Sequence, residues 1–149
     1  MISFEELFVE SKGKSINYKG QTLVMMDLFP VKNGEKIKIL IESTESEWRQ
    51  GFSLRTKGSF LINNQKINNA VVFWKDTAPK EFELKVLTKN EIIEIKNVWD
   101  IGDGVIHSWH NGSAMIVEET VFGRRYLCND GHPDENFKDI IFSIERIKS

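Results

Sequence analysis

The sequence predicts an all-β protein: an antiparallel two-sheet sandwich of the jelly-roll kind, one domain over residues 1–149, with at most one short helix. Three observations predict it. Apolar residues recur at every second position in most segments, as in strands with one wet face. Turn-forming Asn, Gly and Asp fall at short intervals between those segments. Nowhere do strand and helix patterns alternate at the spacing that a parallel sheet requires. The turn spacing suits about nine to eleven strands.

Taken in order, "SFEELF" (3–8) fits two states. Ser3 and Glu6 have capping-box spacing, while Phe4, Glu6 and Phe8 alternate as a strand would. Everything downstream is β, so a strand is the expectation. "VKNGEK" (31–36) carries an Asn-Gly pair between apolar segments and predicts a hairpin. "EKIKILIES" (35–43) places Ile37, Ile39 and Ile41 on one face. "STESEWRQG" (43–51) suits a loop or one helical turn, and "INNQKINN" (62–69) a polar turn. "EFELKVL" (81–87) alternates Phe82, Leu84 and Val86 against Glu83, Lys85 and Leu87. "LTKNEII" (87–93) suggests another hairpin, after which "EIIEIKNVW" (91–99) carries Ile93 and Ile95 and then shifts phase. "SAMIVEET" (113–120), the stretch 124–129 and "FKDIIFSIERI" (137–147) complete the strands. The last is apolar on both faces, so it is expected inside a sheet, beside 113–120 or 124–129. Pro30, Pro79 and Pro133 all fall between the predicted strands.

A chain of 149 residues buries about two thirds of its unfolded surface, so one core suffices. Net charge is -2 with scattered Lys and Arg, which leaves no basic stripe for nucleic acid. "MISFEELFVE" lacks the basic start and apolar run of a signal peptide, and no apolar stretch reaches the roughly 20 residues of a membrane helix. Cys128 is the only cysteine, which fits a reducing compartment. A cytoplasmic location without membrane contact is therefore the expectation. Abundant Lys, Ile and Asn suggest an AT-rich bacterial or phage genome.

Acidic residues crowd the final loop. Asp130, Asp134, Asn136 and Asp139 offer hard oxygens of the kind Ca²⁺ takes, and they form the candidate metal set. Asp139 shares a face with Phe137 and Ile141, so its carboxylate needs a cation, an arginine such as Arg124 or Arg125, or N–H donors. "DENFKDIIF" (134–142) resembles the Asp-x-Asp-Phe-Asn-Asp-x-x-Phe signature that opens the last strand of calcium-associated bacterial jelly-roll binding domains. Asp134, Phe137, Asp139 and Phe142 match; Asn136 and Lys138 replace an Asp and an Asn. The resemblance implies a sandwich ending in a central strand, and a binding role.

The stretch "VWDIGDGVIHSW" sets two tryptophans around a polar loop. Trp99, Asp100, Asp103, His107 and Trp109 form the candidate ligand-binding set, since aromatic faces beside polar groups suit sugars. His107, His110, Cys128 and His132 are a zinc-type donor list, but His107 and His110 point to opposite sides of any strand. No nucleophile is placed beside a base and no glycine-rich phosphate loop opens a helix, so the expectation is non-catalytic. The expected function is a small binding module for a glycan or another polar ligand. The alternative is a cytoplasmic or phage-related structural protein that engages a protein partner or its own copy.

Overall fold

A computed structural model describes residues 4–46, 48–108, 113–130 and 137–147. Among them are one helix, α1 (Phe4–Glu10), and eleven strands: β1 (Ile16–Tyr18), β2 (Gln21–Val24), β3 (Asp27–Pro30), β4 (Glu35–Thr44), β5 (Arg49–Ile62), β6 (Gln65–Trp74), β7 (Glu81–Thr88), β8 (Ile92–Asp100), β9 (Ala114–Glu119), β10 (Gly123–Asn129) and β11 (Ile140–Arg146). Every pairing is antiparallel, in the order β1-β2-β9-β10-β11-β4-β7-β5-β8-β3, with β6 against β5.

The sheet forks at β5. Its first half, Arg49–Arg55, pairs with β8, and its second half, Gly58–Leu61, pairs with β7. β6 follows β5 along both halves. One curled sheet thereby becomes two layers, one ending in β5-β8-β3 and the other running from β1 to β7. At the fork, Thr56, Lys57 and Gly58 oppose the single residue Asn69. The bulge inserts an even number of residues, so Phe52, Leu54 and Phe60 stay on the buried face. Thr56 Oγ1 is 2.7 Å from Thr88 Oγ1 and donates to the Ile92 carbonyl at 2.9 Å.

The core lies between the layers. Ile37, Ile39 and Ile41 of β4, Val86 of β7, Ile93 and Ile95 of β8 and Phe142 of β11 are all within 1% of complete burial. Phe52 and Phe142 stack at 4.0 Å across the two layers, and Phe142 lies 4.9 Å from the Tyr126 ring. β11 is flanked by β10 and β4, the interior position that its two apolar faces require. Its neighbour is the 124–129 segment, while 113–120 lies one strand further out.

Four local expectations are corrected. Residues 4–10 are helical rather than extended. Phe4 and Phe8 share a face in either conformation, so alternation could not separate the two states. Docking decides, since Phe4 and Phe8 pack with Leu23, Ala114 and Phe137. The Asn-Gly turn at 33–34 makes no hairpin, because β3 pairs with β8 whereas β4 pairs with β7 and β11. The turn at 88–91 makes none either, because β7 and β8 belong to different layers. The two turns instead brace each other where the chain changes layer: Asn33 Oδ1 accepts the Thr88 N–H at 3.0 Å, and the Val31 N–H donates to the Glu91 carbonyl at 3.0 Å. The polar 62–69 segment contracts to a two-residue turn, Asn63 and Asn64, both at positive φ (49° and 66°), and the rest belongs to β6.

Arginines close the open side. β3 is an end strand, and its outward carbonyls meet side chains instead of another strand. Arg124 Nη1 donates to the Leu28 carbonyl at 3.0 Å, and Arg146 Nη2 to the Pro30 carbonyl at 2.7 Å. Both guanidinium groups lie over the Phe29 ring, at 5.6 and 4.4 Å. Asp27 Oδ2 accepts from Arg124 Nη1 at 2.9 Å and from the Tyr126 hydroxyl at 2.7 Å.

This seam sets an alkaline limit. Burial, then the Asp27 charge, pushes the Tyr126 phenol far above its ordinary range. Burial, then Asp139, pushes the Cys128 thiol well up. Both groups are neutral when protonated, and the fold holds that form. Their stabilisation is complete below the unfolded pKa values, about 8.5 for Cys and 10 for Tyr, and drains away as pH rises above each. Urea unfolding across alkaline pH is expected to lose about 1.4 kcal/mol per pH unit above 8.5 and about twice that above 10. Tyr126→Phe should remove the steeper limb. A stability that stays flat from about pH 8 to pH 11 would contradict the buried, protonated seam.

Candidate functional site

The fold gathers three connections at one end: β4 to β5, β8 to β9, and β10 to β11. Gln50 on β5 reaches Asp130 at 2.9 Å, and the Asn97 side chain on β8 donates to the Asn129 carbonyl at 2.8 Å. The two loops singled out from the sequence therefore rise from adjoining positions.

The first loop is a braced tongue. A backbone bridge joins Trp99 and His107, with N–H to carbonyl distances of 3.1 and 2.9 Å. Asp100 Oδ1 accepts the N–H groups of Gly102 (2.8 Å) and Gly104 (3.2 Å). Asp103 Oδ1 accepts the Val105 N–H at 3.0 Å, and its Oδ2 lies 3.1 Å from His107 Nε2. The Val105 N–H, then the His107 hydrogen bond, hold the Asp103 carboxyl below its usual range. Trp99 is 2% exposed, and its ring runs nearly parallel to those of Trp48 at 6.4 Å and His107 at 6.3 Å. Trp99, Asp100, Asp103 and His107 thus come together, with Trp99 buried and the carboxylates tied to the turn. Beside Asp103, the tongue exposes three large apolar side chains: Ile101, Val105 and Ile106. Trp109 and His110 lie outside the described residues.

The second loop begins and ends on buried carboxylates. Asp130 and Asp139 are 0% and 1% exposed. Asp130 Oδ2 accepts from the Ser46 hydroxyl and from Gln50 Nε2. Asp139 Oδ2 accepts the Asp130 N–H at 2.9 Å, while its own N–H donates to the Cys128 carbonyl at 3.0 Å. N–H and hydroxyl donors thus meet both carboxylates where the last strand begins. Arg124 bonds Asp27 and Glu119, and Arg125 bonds Glu42 and Glu118. Asp134, Asn136 and His132 lie outside the described residues. Among the described residues no group of three or more His, Cys, Asp or Glu is placed to hold a metal ion. Cys128 is fully buried, away from any role as an exposed nucleophile.

Sequence reasoning missed a groove of about 900 Å³ beside β6. Its lining includes Phe73 and Trp74 of β6, Phe82 and Lys85 of β7, and the turn residues Asn63 and Asn64. Phe73 and Phe82 form its aromatic wall: Phe73 packs 4.8 Å from Phe82 and 5.6 Å from Phe52. Trp74, the next residue, turns its ring to the other face of β6, against Gly51. There the Arg49 guanidinium lies 4.4 Å over it, and the Arg49 Nε is 2.9 Å from both carboxylate oxygens of Asp76. "VVFW" reads as core, yet β6 pairs with β5 alone, and every residue from Ala70 to Trp74 is only half-buried. A polar first half, "QKINN", joined to an aromatic second half was the available signal of an outer strand.

Neither a family model nor a curated protein sequence matches the chain. Among solved structures, the chain is similar to the Chromobacterium violaceum lectin CV2L, solved in complex with alpha-methyl-fucoside. Identity is 11% and the TM-score 0.49, over 82% of this chain and 96% of that one. No described helix is long and apolar enough to cross a membrane.

Proposed function

We propose that the protein is a non-catalytic binding module, and that the groove beside β6 takes a saccharide. One observation carries this reading: a packed aromatic wall, Phe73 and Phe82, faces amide and charged groups in a hollow of about 900 Å³. Small-ligand sites span roughly 300–1,000 Å³ and combine apolar walls with a few polar groups that fix orientation. Pyranose rings have apolar faces and hydroxyl edges, which suit such a lining. The walls belong to β6 and β7 and are already packed, so little ordering is lost on binding.

Calorimetric titration with a panel of neutral methyl glycosides and oligosaccharides tests the reading, with NMR to locate the ligand. At least one sugar should shift amide resonances at 61–64 and 72–85. Phe82→Ala should weaken it by about tenfold, or 1.4 kcal/mol. Binding that moves only the 100–108 tongue would relocate the site and refute the groove.

A second reading, a protein partner or self-association, is favoured by the apolar tongue, where Ile101, Val105 and Ile106 are 46%, 53% and 55% exposed. It replaces the first if every sugar is silent and the tongue resonances broaden with protein concentration.

A further inference from the structure

We infer that the cleft at the β5 bulge is a binding site for an oxyanion, such as a phosphate or sulfate group. The cleft measures about 810 Å³. It is lined by Lys57, Lys66 and Lys89 together with Asn33, Asn68 and Asn69, and no carboxylate is in its lining. That is an unusual enclosure in a chain with 22 acids against 20 bases.

The fold brings these cations together and holds them there. The Lys89 N–H donates to the Lys57 carbonyl at 2.8 Å, which ties the two lysines side by side at the fork. Lys66 and Asn68 lie opposite Leu61 and Ser59 in the β5–β6 ladder, and Ser59 lies opposite Leu87 on β7. Lys57, Lys66 and Lys89 are exposed, and none is ion-paired among the described residues. By contrast, Lys38, Arg49, Arg124 and Arg125 all sit on carboxylates. Grouped like charges repel, and an anion between them reverses that sign. The asparagines add neutral donors. Asn33 Oδ1 is committed to the Thr88 N–H, which fixes the amide and settles which end carries its two N–H groups. An adjoining hollow contains Arg55 and Asn90, with Glu94 as its one carboxylate.

The cleft does not rest on the saccharide reading, although the two hollows are neighbours: Lys85 lines the aromatic groove and Leu87, two residues along β7, lines the cleft. The anion could be free or carried on a sugar, and two probes separate these sources. Inorganic pyrophosphate and a heparin-derived tetrasaccharide are titrated at low ionic strength into the intact chain and two variants. In one variant Lys57, Lys66 and Lys89 are all changed to Gln; in the other only Lys12 and Lys14, exposed at the end of α1, are changed. At least one probe should bind, lose about tenfold or more in affinity in the first variant, and change less than about twofold in the second. Tighter binding of pyrophosphate assigns the cleft to a phosphate group, and tighter binding of the tetrasaccharide to a sulfated or carboxylated sugar. Circular dichroism checks that the Lys-to-Gln variant stays folded. Phe82→Ala should leave pyrophosphate binding intact, so failure of the saccharide reading remains separate. If neither probe binds, or if both variants lose affinity equally, the inference is overturned.

Discussion

Gly58→Ala is expected to cost at least about 3 kcal/mol, a large share of the roughly 5–15 kcal/mol that stabilises a whole fold. A Cβ at this position would stand 1.9 Å from the Leu87 carbonyl oxygen and 2.8 Å from its carbon. The obstruction is backbone, so no side chain can swing aside. Gly58 opens the second half of β5, where the ladder leaves β8 and joins β7 opposite Thr88. Relief of the clash would push β5 from β7, and the layers part where they are joined. Chemical denaturation of the purified variant gives the measurement. An alanine that costs less than about 1 kcal/mol would mean that β5 and β7 do not approach this closely.

The layered β architecture was legible in the sequence because alternation states which residues face the core. Ile37, Ile39, Ile41, Leu84, Val86, Ile93 and Ile95 all fall on buried positions. The connectivity was not. Asn33-Gly34 and Lys89-Asn90 have hairpin chemistry, yet both carry the chain between layers, and turn residues specify a local bend without naming the strand's partner. β5 was hidden because its polar residues, Ser53, Thr56 and Ser59, sit among its apolar ones and find partners only in the folded ladder. At the site, the sequence indicated the loops 100–112 and 129–136, and the fold brings their described parts, 100–108 and 129–130, to adjoining positions. It did not indicate that Trp99 is buried beside two other rings, nor that Phe73 and Phe82 line a hollow. Both are consequences of long-range pairing.

Phe142→Ala should have the next largest effect, about 3–5 kcal/mol. The ring is fully buried and stacks on Phe52 at 4.0 Å and on Tyr126 at 4.9 Å. Phe52 belongs to the β5-β8-β3 layer, whereas Phe142 and Tyr126 belong to the other. Truncation opens a void at the point where the layers meet, and neighbouring strands cannot collapse into it without breaking ladder bonds. Because the rings touch, the Phe52→Ala and Phe142→Ala losses should not add. A double-mutant cycle is expected to give a coupling of about 0.5–1.5 kcal/mol. Additive losses, or a cost under about 1.5 kcal/mol for Phe142→Ala, would place the two rings apart.

The layers, the groove and the cationic cleft all follow from one feature: the division of β5 between two partners along the same edge. Cross-strand nuclear Overhauser contacts read that division directly. Contacts are expected from Phe52 to Asn97 and from Leu54 to Ile95 in the first half, and from Ser59 to Leu87 and Phe60 to Val86 in the second, with no ladder contacts between β7 and β8. Continuous pairing of β8 along the whole of β5, or a β7–β8 hairpin closed by Lys89 and Asn90, would contradict the fork and remove both hollows built upon it.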